Sequence, residues 1–274
     1  MLPTVDFFGH EISRLLVGGN PFSGHMYVPW ITSDEVLDYH TADRIVETFF
    51  RAEELGYNTC LLLSDDFTLR VLRQYRNNGG KMNWIAQTHP SVMLKANLMG
   101  IIKQNPIAIF HQGTMTDNLV EAGKIEELKD NIKMIKETGK PTGMSTHVPE
   151  TILRAEEENW GVDFYMACVH NLRKYNRYQS SFITGKTLNH TFYKDDRQEM
   201  FDVIKKVEKP CIAFKILSGG HLTVTPEALE GAFIETYENI KPNDVAVVGI
   251  FQKYKDQLKE NVELVNKVLS ESKA

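Results

Sequence analysis

The chain has 274 residues, of which 42% are hydrophobic, 24% charged and 10% aromatic, and its formal net charge is −5. That apolar share excludes a disordered chain, and the acidic balance argues against a nucleic-acid partner. No apolar run reaches the roughly 18 residues needed to cross a membrane. The opening Met1-Leu2-Pro3-Thr4-Val5-Asp6 has neither the basic nor the apolar region of a secretory signal, so a cytoplasmic location is expected. Cys60, Cys168 and Cys211 are too scattered for a disulfide framework or a CxxC metal site. Each lies in an apolar run, which reads as a small buried residue in a strand.

In chain order, short apolar runs alternate with longer stretches of helical spacing. Leu2 to Ser13, ahead of the first strand, reads as a short cap. That first strand, Leu15 to Gly18, leads through a long connection, Asn20 to His40, into a helix over Thr41 to Leu55. The helix carries Ile45, Phe49 and Ala52 on one face and is stopped by Gly56. A second strand, Thr59 to Leu63, precedes a helix over Phe67 to Arg76, with Asp66 as its expected N-cap. A third strand, Asn83 to Gln87, precedes a helix over Val92 to Lys103 capped by Ser91. A fourth, Ile107 to Phe110, leads to one long helix, Asn118 to Thr138, ended by Gly139. A fifth, Pro141 to Ser145, precedes a helix opened by Pro149 and running to Asn159. A sixth, Val162 to Val169, leads through a second long connection, His170 to Asp196, into a helix over Arg197 to Val207. The last two pairs are Cys211 to Lys215 with Pro226 to Asn239, and Asp244 to Gly249 with Lys255 to Ser270.

Eight β–α units in a chain of 274 residues predict a single-domain (β/α)8 TIM barrel over 1–274, with an N-terminal cap and long βα loops 1 and 6. A doubly wound open sheet is the competing arrangement, but it does not need an eighth unit.

In such a barrel the chemistry sits at the C-terminal strand ends. Four consecutive strands end in histidine: His89, His111, His147 and His170. Imidazoles from neighbouring strand ends can converge on a divalent ion such as Zn, Mn or Fe, and Asp65 or Asp66 can complete a mixed site. The competing reading has each histidine hydrogen-bonding loop backbone or substrate. Asp65 is also a candidate for moving a proton. Lys215 ends an apolar strand and is suited to binding an anion, stabilising an enolate or forming a Schiff base. Its bland alternative is a lysine reaching past the rim into solvent. Asn20, Gln87 and Asn171 also lie at strand ends and are candidate substrate contacts. Ser218-Gly219-Gly220 is a turn whose N–H groups can hold a phosphate, and Arg173, Lys174 and Arg177 can clamp an anion or simply be solvated.

The whole chain resembles the aldo/keto reductase-like barrels. Phe8-Gly9-His10-Glu11-Ile12-Ser13-Arg14-Leu15-Leu16-Val17-Gly18-Gly19-Asn20-Pro21-Phe22 is similar to that family's N-terminal hairpin and first strand. Gly139-Lys140-Pro141-Thr142-Gly143-Met144-Ser145-Thr146-His147 resembles its fifth strand, and Ile212 to Leu222 its seventh. Val247-Val248-Gly249 together with the later Glu260-Asn261 resembles the eighth strand and its helix. The resemblance implies NADPH-dependent carbonyl reduction by an Asp, Tyr, Lys and His tetrad. Here the Asp position falls near Leu61, the Tyr position on Asp66 and the Lys position near Gln87 or Thr88, so only the His has a match, in His111. On the cofactor side, the resemblance places Phe214 against nicotinamide, Ser145 at its carboxamide, and Leu217 and Ser218 at the pyrophosphate.

The leading expectation is therefore a metal-dependent, non-redox enzyme (lyase, isomerase or hydrolase) acting on a small sugar-like or hydroxy-acid substrate. The four histidines would hold the metal, Asp65 or an imidazole such as His111 would move the proton, and Lys215 would stabilise negative charge. The alternatives are an NADP-dependent oxidoreductase in which His111 or Asp66 donates the proton, and a non-catalytic ligand-binding barrel.

Overall fold

The structure, a computed structural model, describes residues 1–28, 30–174 and 192–271. Thr4–Phe7 (β1) and His10–Ser13 (β2) pair as an antiparallel hairpin. The turn between them, Phe8-Gly9, is left-handed at both residues, the geometry that suits the natural twist of a hairpin. The expected cap is this hairpin. It directs Phe7 into the bottom of the molecule, where its ring meets Phe164 edge-on at 5.1 Å.

Eight parallel strands come next: Leu15–Gly18 (β3), Thr59–Leu63 (β4), Asn83–Gln87 (β5), Ala108–His111 (β6), Thr142–Thr146 (β7), Phe164–Cys168 (β8), Cys211–Phe214 (β9) and Val245–Gly249 (β10). They close in the order β10-β3-β4-β5-β6-β7-β8-β9, with Ala246 opposite Leu15 at the seam. The (β/α)8 barrel read from the sequence is the fold.

Closure makes each strand residue face either the axis or the helices. Leu16, Leu61, Ile85, Phe110, Phe164, Met166, Ile212 and Val247 form the inner cluster. Their neighbours Leu15, Val17, Cys60, Leu62, Trp84, Tyr165, Ala213 and Val248 join the larger cluster packed under the helices. Strands apolar on both faces are the signature of this two-sided burial. The three cysteines are buried and free, and burial pushes their thiols up, to about 12 for Cys60 and Cys211 and about 11 for Cys168.

The outer layer comprises Ser33–Tyr39 (α1), Ala42–Glu54 (α2), Asp66–Asn77 (α3), Leu94–Ile102 (α4), Gly113–Glu121 (α5), Ile125–Lys136 (α6), Pro149–Glu157 (α7), Lys194–Lys206 (α8), Pro226–Asn239 (α9) and Gln257–Glu271 (α10). None of these is long and apolar enough to cross a membrane.

Four local expectations are corrected. The stretch read as one helix from Asn118 to Thr138 is two, α5 and α6, parted at Gly123, whose φ of +70° ends the first. The long connection after β3 contains α1, opened by Thr32, whose hydroxyl accepts from the Glu35 N–H. α4 starts at Leu94, and Ser91 instead donates its N–H to His89 Nδ1. The cap of α3 is Asp65, not Asp66: its carboxylate accepts the Thr68 N–H at 2.6 Å.

Inside the barrel, Gly143 of β7 makes room for the ring of Phe164; a Cβ there would lie 2.4 Å from Phe164 Cζ. Gly143→Ala is expected to lower unfolding free energy by about 1–3 kcal/mol, the usual cost of overpacking, measured by urea denaturation.

Candidate active site

A recess opens at the C-terminal end of the barrel, a cavity of about 180 Å³. Its floor is the top of the inner cluster, with Leu61, Met166, Phe214 and Val247. Around that apolar floor stand Asn20, Gln87, Gln112, Ser145, His147 and Lys215. A dry floor with a few convergent polar groups is the usual construction of a small-molecule site.

His147 comes just after β7 in the same alternation phase as Ser145, and this brings both to the mouth. Its Nδ1 lies 2.6 Å from Asp117 Oδ2 on α5. Asp117 is buried and has further donors: Thr146 Oγ1 at 2.5 Å and the His147 N–H at 3.3 Å. Arg173 Nε lies 3.7 Å from the same carboxylate. An imidazole that donates from Nδ1 keeps its lone pair on Nε2, the atom left to act on a molecule in the cavity. Burial lowers the pKa of His147, the positive charge of Lys215 lowers it further, and Asp117 partly opposes both. The ring is therefore neutral near pH 7, as a general base must be.

Lys215 reaches the cavity through a break in strand geometry. A continued β9 would send it outward with Cys211 and Ala213. Its φ of +60° instead turns the chain, and the side chain lines the mouth. A non-glycine residue held there costs of order 1–2 kcal/mol. Its Nζ sits 4.7 Å from the centre of the Tyr27 ring. Among the described residues no carboxylate is within ion-pair distance of it.

The long connection after β3 covers the mouth. Tyr27, Val28 and Trp30 line the cavity, and the Tyr27 carbonyl is 2.8 Å from His221 Nε2. Gly219 allows this approach, because a Cβ on it would come within 2.7 Å of Tyr27 Cβ. Trp30 and Phe192 pack against the His221 ring at 5.7 and 5.2 Å.

The four strand-end histidines do not converge, and among the described residues no group of three or more His, Cys, Asp or Glu could hold a metal ion. Only His147 of the four lines the cavity. His111 comes directly after the inward Phe110 and so faces the helices, with Nδ1 2.8 Å from Thr116 Oγ1 and Nε2 3.4 Å from Asn131 on α6. The roles expected of it as metal ligand and proton carrier are thus not supported by its position. His89 is tied into its own turn by the N–H of Ser91, and its backbone N–H by Asn97. His170 is 2.9 Å from Ser218 Oγ and packs edge-on against Phe192. Ser218 does not line the cavity, and its N–H donates to the Lys215 carbonyl at 2.8 Å. Asp65 is occupied as a helix cap and as acceptor of Ser23 Oγ. Asn171 accepts the Arg173 and Lys174 N–H groups in a local turn. Arg173 bonds Glu121, Asn118 and the Thr114 carbonyl besides facing Asp117, so it braces the dyad. Arg177 lies outside the described residues. Asn20, Gln87, Ser145, Lys215, Phe214 and Leu217 line the cavity.

Gln112, Tyr27 and His25 are among the cavity groups that escaped the sequence reading. His25 is lowered in pKa by burial, with Asp65 opposing. Asp117 also escaped it. The usable signal was the polar run Thr114-Met115-Thr116-Asp117 directly after a strand, where a carboxylate one turn into a helix can face the next strand.

No family model matches the chain, and no curated protein sequence does. Solved structures are similar in fold. A truncated 3-deoxy-D-arabino-heptulosonate 7-phosphate synthase from Thermotoga maritima has a TM-score of 0.60 at 12% identity, over 99% of this chain and 92% of that one. The holo form of an aldo-keto reductase from Bacillus halodurans has a TM-score of 0.58 at 12% identity, over 97% and 91%. A Yersinia pestis dihydropteroate synthase in complex with a sulfonamide drug has a TM-score of 0.57 at 10% identity, over 99% of each. At these identities the likeness is one of fold, the (β/α)8 barrel.

Two measurements probe the site. Burial pushes His40 and His111 down to about 4. The unfolded chain takes up those protons near pH 6.5, so stability is full above that value and falls as pH drops toward 4. The expected descent is about 1.4 kcal/mol per pH unit for each imidazole, read from urea midpoints; His111→Asn should make it shallower. Lys215→Gly should raise the unfolding free energy by about 1 kcal/mol, because the left-handed backbone no longer carries a Cβ.

Proposed function

We propose that the protein is a lyase or isomerase acting on a small hydroxylated carbonyl compound, with His147 as the base that moves a proton at the carbon beside the carbonyl. The observation that carries this reading is the buried Asp117–His147 pair opening onto a cavity that also holds Lys215. Asp117 holds the imidazole in the tautomer with a free Nε2 lone pair and stabilises the imidazolium once the proton has moved. Lys215 supplies positive charge where the carbonyl oxygen becomes negative. Gln87, Asn20 and Ser145 offer hydrogen bonds that suit a polyol-type substrate. The base expected of a metal centre is thus assigned to an imidazole.

A second reading, an NADPH-dependent reductase, has one observation in its favour. The lining of the cavity extends past Phe214 and Leu217 to Lys255 and to Glu260 and Asn261 at the start of α10, the stretch that resembles a nucleotide-binding arm. Its proton donor would be His147, since His111 faces α6 and Asp66 is exposed on α3. Quenching of protein fluorescence by NADPH tests it; no quenching at millimolar cofactor removes it.

The leading reading is tested by proton NMR in D2O with dihydroxyacetone as probe. Catalysed loss of the C–H signals is expected, and His147→Gln should slow it by about 10²–10⁴-fold. Asp117→Asn should slow it too, and should move the acid limb of the rate profile, which lies below pH 6.5, to lower pH, because the charge that raises the His147 pKa is gone. Exchange that is indifferent to His147→Gln overturns the reading.

A further inference from the structure

We propose that Lys215 is a covalent catalyst: its Nζ condenses with the substrate carbonyl to form an imine, so that the site selects small ketoses or aldoses with a free carbonyl. This deepens the proton-transfer reading above and rests on it. Three observations support the assignment.

The amine is placed at a cost. The left-handed backbone at Lys215 turns the side chain away from the outward course that β9 would give it and into the cavity. A lysine needed only as a surface charge has no use for that geometry. Its surroundings also favour a nucleophile over a fixed ion pair. Its Nζ packs on the Tyr27 ring, the cavity floor beneath holds Met166 and Phe214, and no carboxylate among the described residues pairs with it. Finally, a base is at hand: His147 lines the same cavity and feels the Lys215 charge.

The chemistry balances without an added oxidant or reductant. Lys215 gives a proton to His147 Nε2, and the free amine attacks the carbonyl carbon. The C–N bond forms as the C=O π pair moves to oxygen, which takes the proton back from His147. One N–H proton of the adduct passes by way of His147 to that hydroxyl, which leaves as water while the freed nitrogen lone pair forms the cationic C=N bond. The iminium then accepts the electron pair released when His147 removes the neighbouring C–H proton, or when a C–C bond beside it breaks. Hydrolysis of the imine restores the amine. The cover formed by Tyr27, Val28 and Trp30 limits water during the cycle.

The test is reductive trapping. Intact protein is incubated with dihydroxyacetone and sodium cyanoborohydride, and adducts are mapped by peptide mass spectrometry. The expected result is a secondary-amine adduct on Lys215 at least about 10-fold above that on any other lysine, with slower trapping in His147→Gln. Lys215→Arg keeps the charge, and a thermal melt verifies its fold; it should lose both the adduct and the deuterium exchange. Labelling no greater at Lys215 than at surface lysines overturns the proposal, as does full exchange activity in Lys215→Arg. The two readings fail separately. Exchange that needs His147 without trapping at Lys215 leaves the base and removes the imine. Trapping at Lys215 with exchange indifferent to His147 leaves the imine and removes the base.

Discussion

Closure of the parallel barrel is the constraint on which everything else depends. Once β10 pairs with β3, every strand residue must point to the axis or to the helix layer. The inner set is filled by large apolar groups up to Leu61, Met166 and Phe214, and polar groups collect only above that level. The cavity is therefore apolar at its floor and furnished by residues that come next in inward phase on their strands, with Lys215 brought in by its left-handed backbone. Ser145 and His147 share that phase on β7 and stand together at the mouth. His111 is out of phase by one residue and belongs to the helix layer.

The Asp117–His147 pair turns this geometry into reactivity. A buried carboxylate is tolerated only when it is well supplied with donors. Asp117 has Thr146, the His147 backbone and imidazole, and Arg173 nearby. Those contacts fix the ring while burial and Lys215 keep it neutral. Arg173 and Asn171, which look like ligand contacts in the sequence, complete this bracing from the loop after β8. The same protein thus uses its strongest charges to hold one weak base in place.

The barrel was legible in the sequence because its strands are apolar on both faces and its helices repeat every three to four residues; all eight strands were recovered within one or two residues of their observed ends. The site was only half legible. Lys215, Gln87, Ser145 and Phe214 can be placed from strand-end position alone. The four-histidine cluster failed because position along a strand says where a side chain is in height, whereas facing is set by period-two phase. Applying that phase to Ala108-Ile109-Phe110-His111, with Phe110 inward, would have sent His111 out. Asp65 and Asp66 show a limit of another kind, since which of two adjacent carboxylates caps a helix depends on a one-residue shift in where the helix begins. Tyr27 meets His221 and Lys215 across a sequence separation that no local pattern carries.

The cover over the mouth has a consequence for how such a protein can change. The groups placed for chemistry stand on or just past the ends of β7 and β9 and on α5, which are fixed by the shared packing of strands and helices. Tyr27, Val28 and Trp30 belong to one excursion after β3, clasped by the Tyr27 carbonyl and the His221 ring across a bare glycine turn. Reactivity and selectivity are thus held by separate pieces of chain. Substitutions in the excursion can reshape what is admitted while leaving the reacting groups where they are, so descendants of this barrel can acquire new substrates one loop residue at a time.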